Sequence, residues 1–229
     1  MDLFDVAIDY SKDLFRNIRS IRKSQNLFDD LSDDPLDWDA ANELDIYIRP
    51  SLVNHSMIQR AFNYSKNDFI NYPFEHTTAS RFSDGSFACW YGCETLKTSI
   101  YETRYHFIQD ILDSPDAFAD EEIIYSERKV GEISCHGLAF DLSKKVQAYP
   151  WLIDKLNYSK CQEIGKRVAR EGHPLLRVAS ARDEEGINMV AFNDRVLSNV
   201  RDFCYLTYSF DMSNKEFKVH RRNEEIMFI

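Results

Sequence analysis

The sequence predicts an α+β fold. Two observations carry that prediction. Six segments rich in aromatic and β-branched residues, 77–81, 86–91, 131–142, 175–180, 187–192 and 203–210, read as strands, while helical periodicity appears over 94–112 and 158–171. The helices fall irregularly among the strands, and no βαβ unit with a Gly-rich first turn repeats, which favours α+β over a doubly wound dinucleotide fold.

Taken in order, Phe4, Ala7, Ile8, Leu14, Phe15, Ile18 and Ile21 recur at three- and four-residue intervals, so residues 2–24 are expected to form an amphipathic helix. Its apolar stripe needs a cover, which the protein's own core would supply; a partner or a second copy of the chain, making a homo-oligomer, are the alternatives. The basic run Arg16 to Lys23 reads as a solvated face of that helix. Residues 29–39, DDLSDDPLDWD, are acidic and contain Pro35, as a connection would. A soft boundary near residue 48 then separates a helical extension, 1–48, from a domain over 49–229. Pro50, Pro73, Pro115, Pro150 and Pro174 fall between periodic segments, and Lys218 to Arg222 reads as a terminal strand.

Residues 80–106 read as a turn at Asp84-Gly85, a strand, a break at Gly92 and a helix. On that helix Leu96, Ile100, Phe107 and Ile111 form an apolar stripe, with Thr95, Ser99, Glu102 and His106 together on a flank that faces solvent or a cleft.

Composition narrows the function. The chain has 229 residues, enough for one large domain with or without a small appendage, and a formal net charge of -10. That charge repels a phosphate backbone, and no long Lys/Arg block offsets it, so direct nucleic-acid binding is not expected. Asp2, Asp5, Asp9 and Asp13 interrupt what would be a signal peptide, and no stretch approaches the roughly 20 apolar residues of a membrane span. A cytoplasmic protein is expected. Cys89, Cys93, Cys135, Cys161 and Cys204 then read as reduced thiols, and the Cys89/Cys93 spacing is not that of a zinc knuckle, so no metal is expected.

Singly, Glu102 is a surface helix glutamate, Arg81 a strand-end arginine, Tyr91 a half-buried aromatic and Ser180 a turn former. Their order and spacing say more. RFSDGSFACWYGCETLKTSIYETRYH resembles the first block of the RES domain toxins, a family named for an arginine, a glutamate and a serine. PLLRVASARDEEGINMVAF resembles its second block, reaching Ser180 and then Arg182, and YLTYSFD resembles its final strand. The similarity spans roughly residues 50 to 222. It departs from the family at His173-Pro174-Leu175-Leu176-Arg177, where a Gly-Asp-Gly-Ile-like approach to the serine strand is expected.

The resemblance implies an ADP-ribosyltransferase-like fold with a mixed, mostly antiparallel sheet core and flanking helices. It implies NAD⁺ as substrate, no metal, and a cognate Xre-like antitoxin as partner. Some members of the family hydrolyse or phosphorolyse NAD⁺ and others move ADP-ribose onto a protein, and the motif does not separate these outcomes. A non-catalytic interaction module is the third alternative.

The residue types suit cleavage of the nicotinamide–ribose bond. Nicotinamide leaves without needing an acid, so one carboxylate beside an oxocarbenium-like ribose suffices, and Glu102 is its expected source. Arg81 would anchor pyrophosphate or ribose oxygens with planar, charge-assisted donors, with Arg182 nearby. Tyr91 would stack on the nicotinamide ring, and Ser180 would donate a hydrogen bond to the nicotinamide side or to Glu102. One tension remains in this reading. A two-residue Asp84-Gly85 hairpin would pair Arg81 with Ala88 and put Arg81 and Tyr91 on opposite faces, so the turn must be longer or the strand bulged.

Overall fold

The computed structural model describes residues 3–20, 66–119, 121–222 and 224–228. The acidic connection at 29–39 and the boundary near residue 48 lie outside them. The fold is α+β: the described residues form eight strands, mostly antiparallel, and two long helices. The chain divides into two compact units. Of the described residues, the first comprises 3–18, 66–119 and 130–203, and the second 19–20, 121–129, 204–222 and 224–228.

The first unit opens with a strand, β1 (Ala7–Arg19), where the periodicity predicts a helix over 2–24. Tyr10, Leu14 and Ile18 lie four apart, a spacing that suits one side of a helix and one face of a strand equally well. Pairing decides between them: β1 bonds to β2 (Trp90–Cys93) with Phe15 opposite Cys93, and also to β3 (Ile123–Asp141). Ile8, Tyr10, Leu14 and Ile18 then meet Trp90, Ile133, Leu175 and Met189 in one apolar cluster, so the core of this unit covers them.

The strand order here is β1-β2-β5-β4-β3, with β4 at Leu175–Ala179 and β5 at Ile187–Ala191. The additional β1–β3 pairing links the two ends of this run. β2–β5 and β4–β5 are antiparallel, while β3–β4 is parallel. A second cluster, including Phe82, Leu152, Cys161, Val168, Leu176, Val178 and Val190, packs under helix α2 (Ser159–Glu171). Helix α1 (Leu96–Asp113) starts at Thr95, whose side chain accepts the Thr98 N–H, and buries Ile100, Phe107 and Ile111 of the expected stripe.

Two further strand readings are corrected. Residues 77–81 form no strand, only an isolated bridge between Ala79 and Asp84, and the strand expected over 86–91 begins at Trp90. Gly92 is a strand residue and not a break. A Cβ there would meet the Trp90 ring at 2.4 Å, so glycine is what lets the large indole fold back across its own strand. Because the Ala79–Asp84 bridge encloses residues 80–83, Arg81 sits in a loop and does not pair with Ala88. The longer turn thus removes the tension between Arg81 and Tyr91.

In the second unit the strand order is β6-β7-β8, from the latter half of β6 (Leu197–Asp211) through β7 (Phe217–Arg221) to β8 (Glu224–Phe228). Tyr208 on β6 and Phe217 on β7 are fully buried and meet edge to face at 5.0 Å.

Candidate active site

The site is built where α1 crosses the ends of β2, β4 and β5. Register places Cys93, Asn188 and Val178 directly opposite one another across β2, β5 and β4, so their side chains share a face, and Ser180 follows two residues after Val178. Over that face α1 presents Glu102. Its Oε1 accepts the Ser180 hydroxyl at 2.6 Å and the Asn188 amide at 2.6 Å. The Ser180 Oγ itself accepts the backbone N–H groups of Arg182 and Asp183, each at 3.0 Å. Asp183 ties this loop to the start of α1 by accepting the Thr98 hydroxyl at 2.8 Å. Glu102 is half-buried, neither sealed among apolar side chains nor free in bulk water.

Tyr91 turns its hydroxyl to the 80–83 loop. It accepts the Phe82 N–H at 2.9 Å and shares a hydrogen bond with Ser80 Oγ at 2.9 Å. Burial pushes the phenol well above its ordinary range, so it stays protonated. Arg81 donates to the carbonyls of Asp154 at 2.6 Å and Leu152 at 3.4 Å, and its guanidinium lies 4.5 Å over the Tyr158 ring. Arg182 stacks at 3.4 Å on Tyr105, one turn along α1 from Glu102, and donates to the Lys155 carbonyl at 3.0 Å. Both arginines are therefore committed to the same segment, 152–158.

A third arginine is held on β1. Arg16 on β1 donates to the Tyr91 carbonyl at 2.9 Å and lies 5.4 Å over the Trp90 ring. Its Nε is buried with no hydrogen-bond partner among the described residues. Burial lowers its pKa to about 10, which leaves it cationic at neutral pH. The buried Cys93 thiol reports both charges: burial raises its pKa most, Glu102 raises it further and Arg16 opposes. Arg16, Tyr91, Ser80, Cys89, Tyr72 and His76 line a pocket of about 200 Å³. Among the described residues no group of three or more His, Cys, Asp or Glu side chains gathers as a metal site, and no helix is long and apolar enough to cross a membrane.

The RES domain family model matches residues 57–211 of this chain. The chain belongs to the RES domain family. Comparison with curated proteins gives no match. Among solved structures, this RES protein is similar to a chain of the M. tuberculosis MbcT–MbcA toxin–antitoxin complex, at 11% identity and a TM-score of 0.47, with 86% of each chain covered.

Sequence singles out five side chains of the RES protein, and the structure gathers them unequally. Glu102 and Ser180 are in direct contact, and Arg182 adjoins them through the Ser180 loop and Tyr105. Tyr91 lines the neighbouring pocket. Arg81 donates through Nη1 to the carbonyls of Leu152 and Asp154, and no hydrogen bond from it to Glu102 or Ser180 is seen among the described residues. Two residues escape the sequence reading. Arg16 lies outside the matched span and reads as part of a solvated basic face, although the apolar run Leu14-Phe15 before it and Ile18 after it mark it as an arginine on a buried strand. Asn188 looks like an ordinary polar residue in a strand, and only the register shows it reaching Glu102.

Proposed function

We propose that this RES protein is the toxin of a toxin–antitoxin pair and cleaves the nicotinamide–ribose bond of cytoplasmic NAD⁺, by hydrolysis or phosphorolysis. The observation that carries the reading is the Glu102 carboxylate, half-buried and pinned at one oxygen by Ser180 and Asn188. In the reaction the bond from the ribose anomeric carbon to the pyridinium nitrogen breaks, and its electron pair leaves on neutral nicotinamide. Water or phosphate oxygen bonds to the anomeric carbon from the other side. Glu102 offsets the positive charge developing on the ribose and takes the proton that the incoming oxygen sheds.

Arg16 supplies the fixed cation for the substrate's pyrophosphate. A guanidinium already held out of water by Trp90 and the Tyr91 carbonyl needs no further ordering when an anion arrives. Arg81 and Arg182 hold the 152–158 segment at the edge of the site. The Tyr91 ring, its hydroxyl fixed by the 80–83 loop, offers a rigid face to the nicotinamide end. The cognate partner that the family implies is an Xre-like antitoxin covering this cleft.

Purified protein incubated with NAD⁺ should release free nicotinamide, and Glu102→Gln should not. Intact NAD⁺ after prolonged incubation with the wild type would overturn the reading. Label transferred from NAD⁺ to a protein, with none in free ADP-ribose or its phosphate, would make the enzyme an ADP-ribosyltransferase instead.

A further inference from the structure

The Glu102 carboxylate is held asymmetrically. Both of its close donors, Ser180 Oγ and Asn188 Nδ2, address Oε1 at 2.6 Å, and Oε2 takes no hydrogen bond among the described residues. These are short, charge-assisted bonds, roughly twice as strong as neutral ones. The geometry points to Asn188 as a positioning residue for the NAD⁺-cleaving reaction proposed above: it immobilises Oε1 and leaves Oε2 as the oxygen that works on the substrate.

The orientation of the Asn188 amide follows from chemistry. A carboxylate can only accept, so the NH₂ must face Glu102 and the carbonyl must face the other way. There the Cys93 thiol donates to Asn188 Oδ1 at 3.2 Å. A flipped amide would set oxygen against oxygen at Glu102 and leave the thiol without an acceptor. The thiol is buried and stays protonated, so it remains a donor. Ser180 is oriented from its own side by the N–H groups of Arg182 and Asp183. A relay from Cys93 through Asn188 therefore meets the Ser180 loop at a single atom. Because Cys93, Asn188 and Val178 are neighbours in register, the relay stands on the rigid sheet, and it fixes a side chain borne by a helix.

A purely structural asparagine would alter stability and binding together. A positioning residue acts on turnover, since the carboxylate must be in place at the transition state while ground-state binding is carried elsewhere. With NAD⁺ as substrate, Asn188→Leu should lower kcat at least tenfold and change KM less than threefold. Asn188→Asp keeps the shape and removes the donor, so it should lose as much at neutral pH and recover part of the loss on acidification, when the introduced carboxyl regains a proton to donate. Cys93→Ser retains a donor to Oδ1 and should stay within about threefold of wild type, whereas Cys93→Val should fall between wild type and Asn188→Leu. Crystal structures of the substrate-free variants supply a readout independent of activity: Glu102 should leave its contact with Ser180 in Asn188→Leu and keep it in Cys93→Ser. If wild-type protein leaves NAD⁺ intact, the functional reading fails, and the crystallographic comparison still decides the role of Asn188. Unchanged kcat in Asn188→Asp at neutral pH, or a Glu102 still bonded to Ser180 in Asn188→Leu, would overturn the inference.

Discussion

The hydroxyl of Ser180 donates to Glu102 Oε1 at 2.6 Å while accepting the amide N–H groups of Arg182 and Asp183, so its single proton has one destination. In the proposed reaction that arrangement serves Ser180 as a support for the carboxylate. Ser180→Ala removes one hydrogen bond to a charged group, worth about 1.5–3 kcal/mol, which corresponds to roughly a ten- to hundredfold loss of turnover. Nicotinamide release under saturating NAD⁺ measures it. A burst of covalent enzyme in wild type, absent from Ser180→Ala, would assign Ser180 the attacking role instead.

Arg16 combines a buried Nε that lacks a hydrogen-bond partner among the described residues with a charge that burial disfavours, as the pyrophosphate-binding role proposed above requires. Arg16→Met keeps much of the side chain's length and removes the charge. It should weaken NAD⁺ binding at least tenfold and leave the melting temperature unchanged or higher, the desolvation cost of the guanidinium outweighing the one lost bond to the Tyr91 carbonyl. Arg16→Lys should not restore binding, because a point charge cannot reproduce the planar fork. Isothermal titration with NAD⁺ and a thermal melt check both halves. A fall in melting temperature of more than about 4 °C, equivalent to roughly 1 kcal/mol or more in a chain of this size, would make Arg16 a structural residue.

What is local is legible in the sequence. Helix α1 carries its own periodicity and its own cap, so local signals alone place Glu102 on a helix, and the turn residues around Ser180 announce a strand end. What stays hidden is what tertiary pairing creates. Tyr10, Leu14 and Ile18 fit helix and strand alike, and only β2 and β3 choose between them; with that choice Arg16 moves from a solvated face to a half-buried place beside Trp90. Arg81 keeps its expected place in the chain and acquires unexpected partners, since the carbonyls that take its donors lie in a segment about 70 residues away, |i−j| being 71 and 73. Asn188 needs register, which no single strand encodes.

The loop that carries Ser80 and Arg81 is seated on α2 at Gly165. A Cβ at that position would lie 1.8 Å from the Phe82 carbonyl oxygen, a backbone atom that cannot rotate away. Gly165→Ala should therefore cost at least the roughly 1–3 kcal/mol typical of overpacked sites, and it should displace the 80–83 loop with it. Gly172 ends the same helix at φ +76° with nothing within 4 Å of a built Cβ, so Gly172→Ala should cost only about 1 kcal/mol through backbone strain. Urea unfolding of the two variants separates them. Equal midpoints would mean that α2 shifts freely against the loop.

A second polar cluster should make stability fall in acid. Arg177 on β4 bonds Glu94 at 2.7 Å and Asp141 at 3.1 Å, and all three side chains are largely buried. Burial alone would raise the Glu94 pKa, but the Arg177 hydrogen bonds and charge, with Lys12, outweigh it and hold the carboxyl below its ordinary value. At Asp141 burial is likewise outweighed, by the Ser143 hydrogen bonds and then by Arg177. A carboxyl whose folded pKa lies below its unfolded one binds fewer protons in the native state, so its contribution is complete above the unfolded value, about 4.3 for Glu and 3.9 for Asp, and is lost as pH falls through the folded one. Unfolding free energy from urea titrations should thus be level with respect to these two groups from pH 7 to about 5 and drop steeply below about pH 4.5. Glu94→Gln should be less stable than wild type at pH 7, because Arg177 loses its closest anion, and should lose less on acidification. The two curves then converge as pH falls through the folded Glu94 value, and parallel curves across that range would show that Glu94 takes no part in the acid transition.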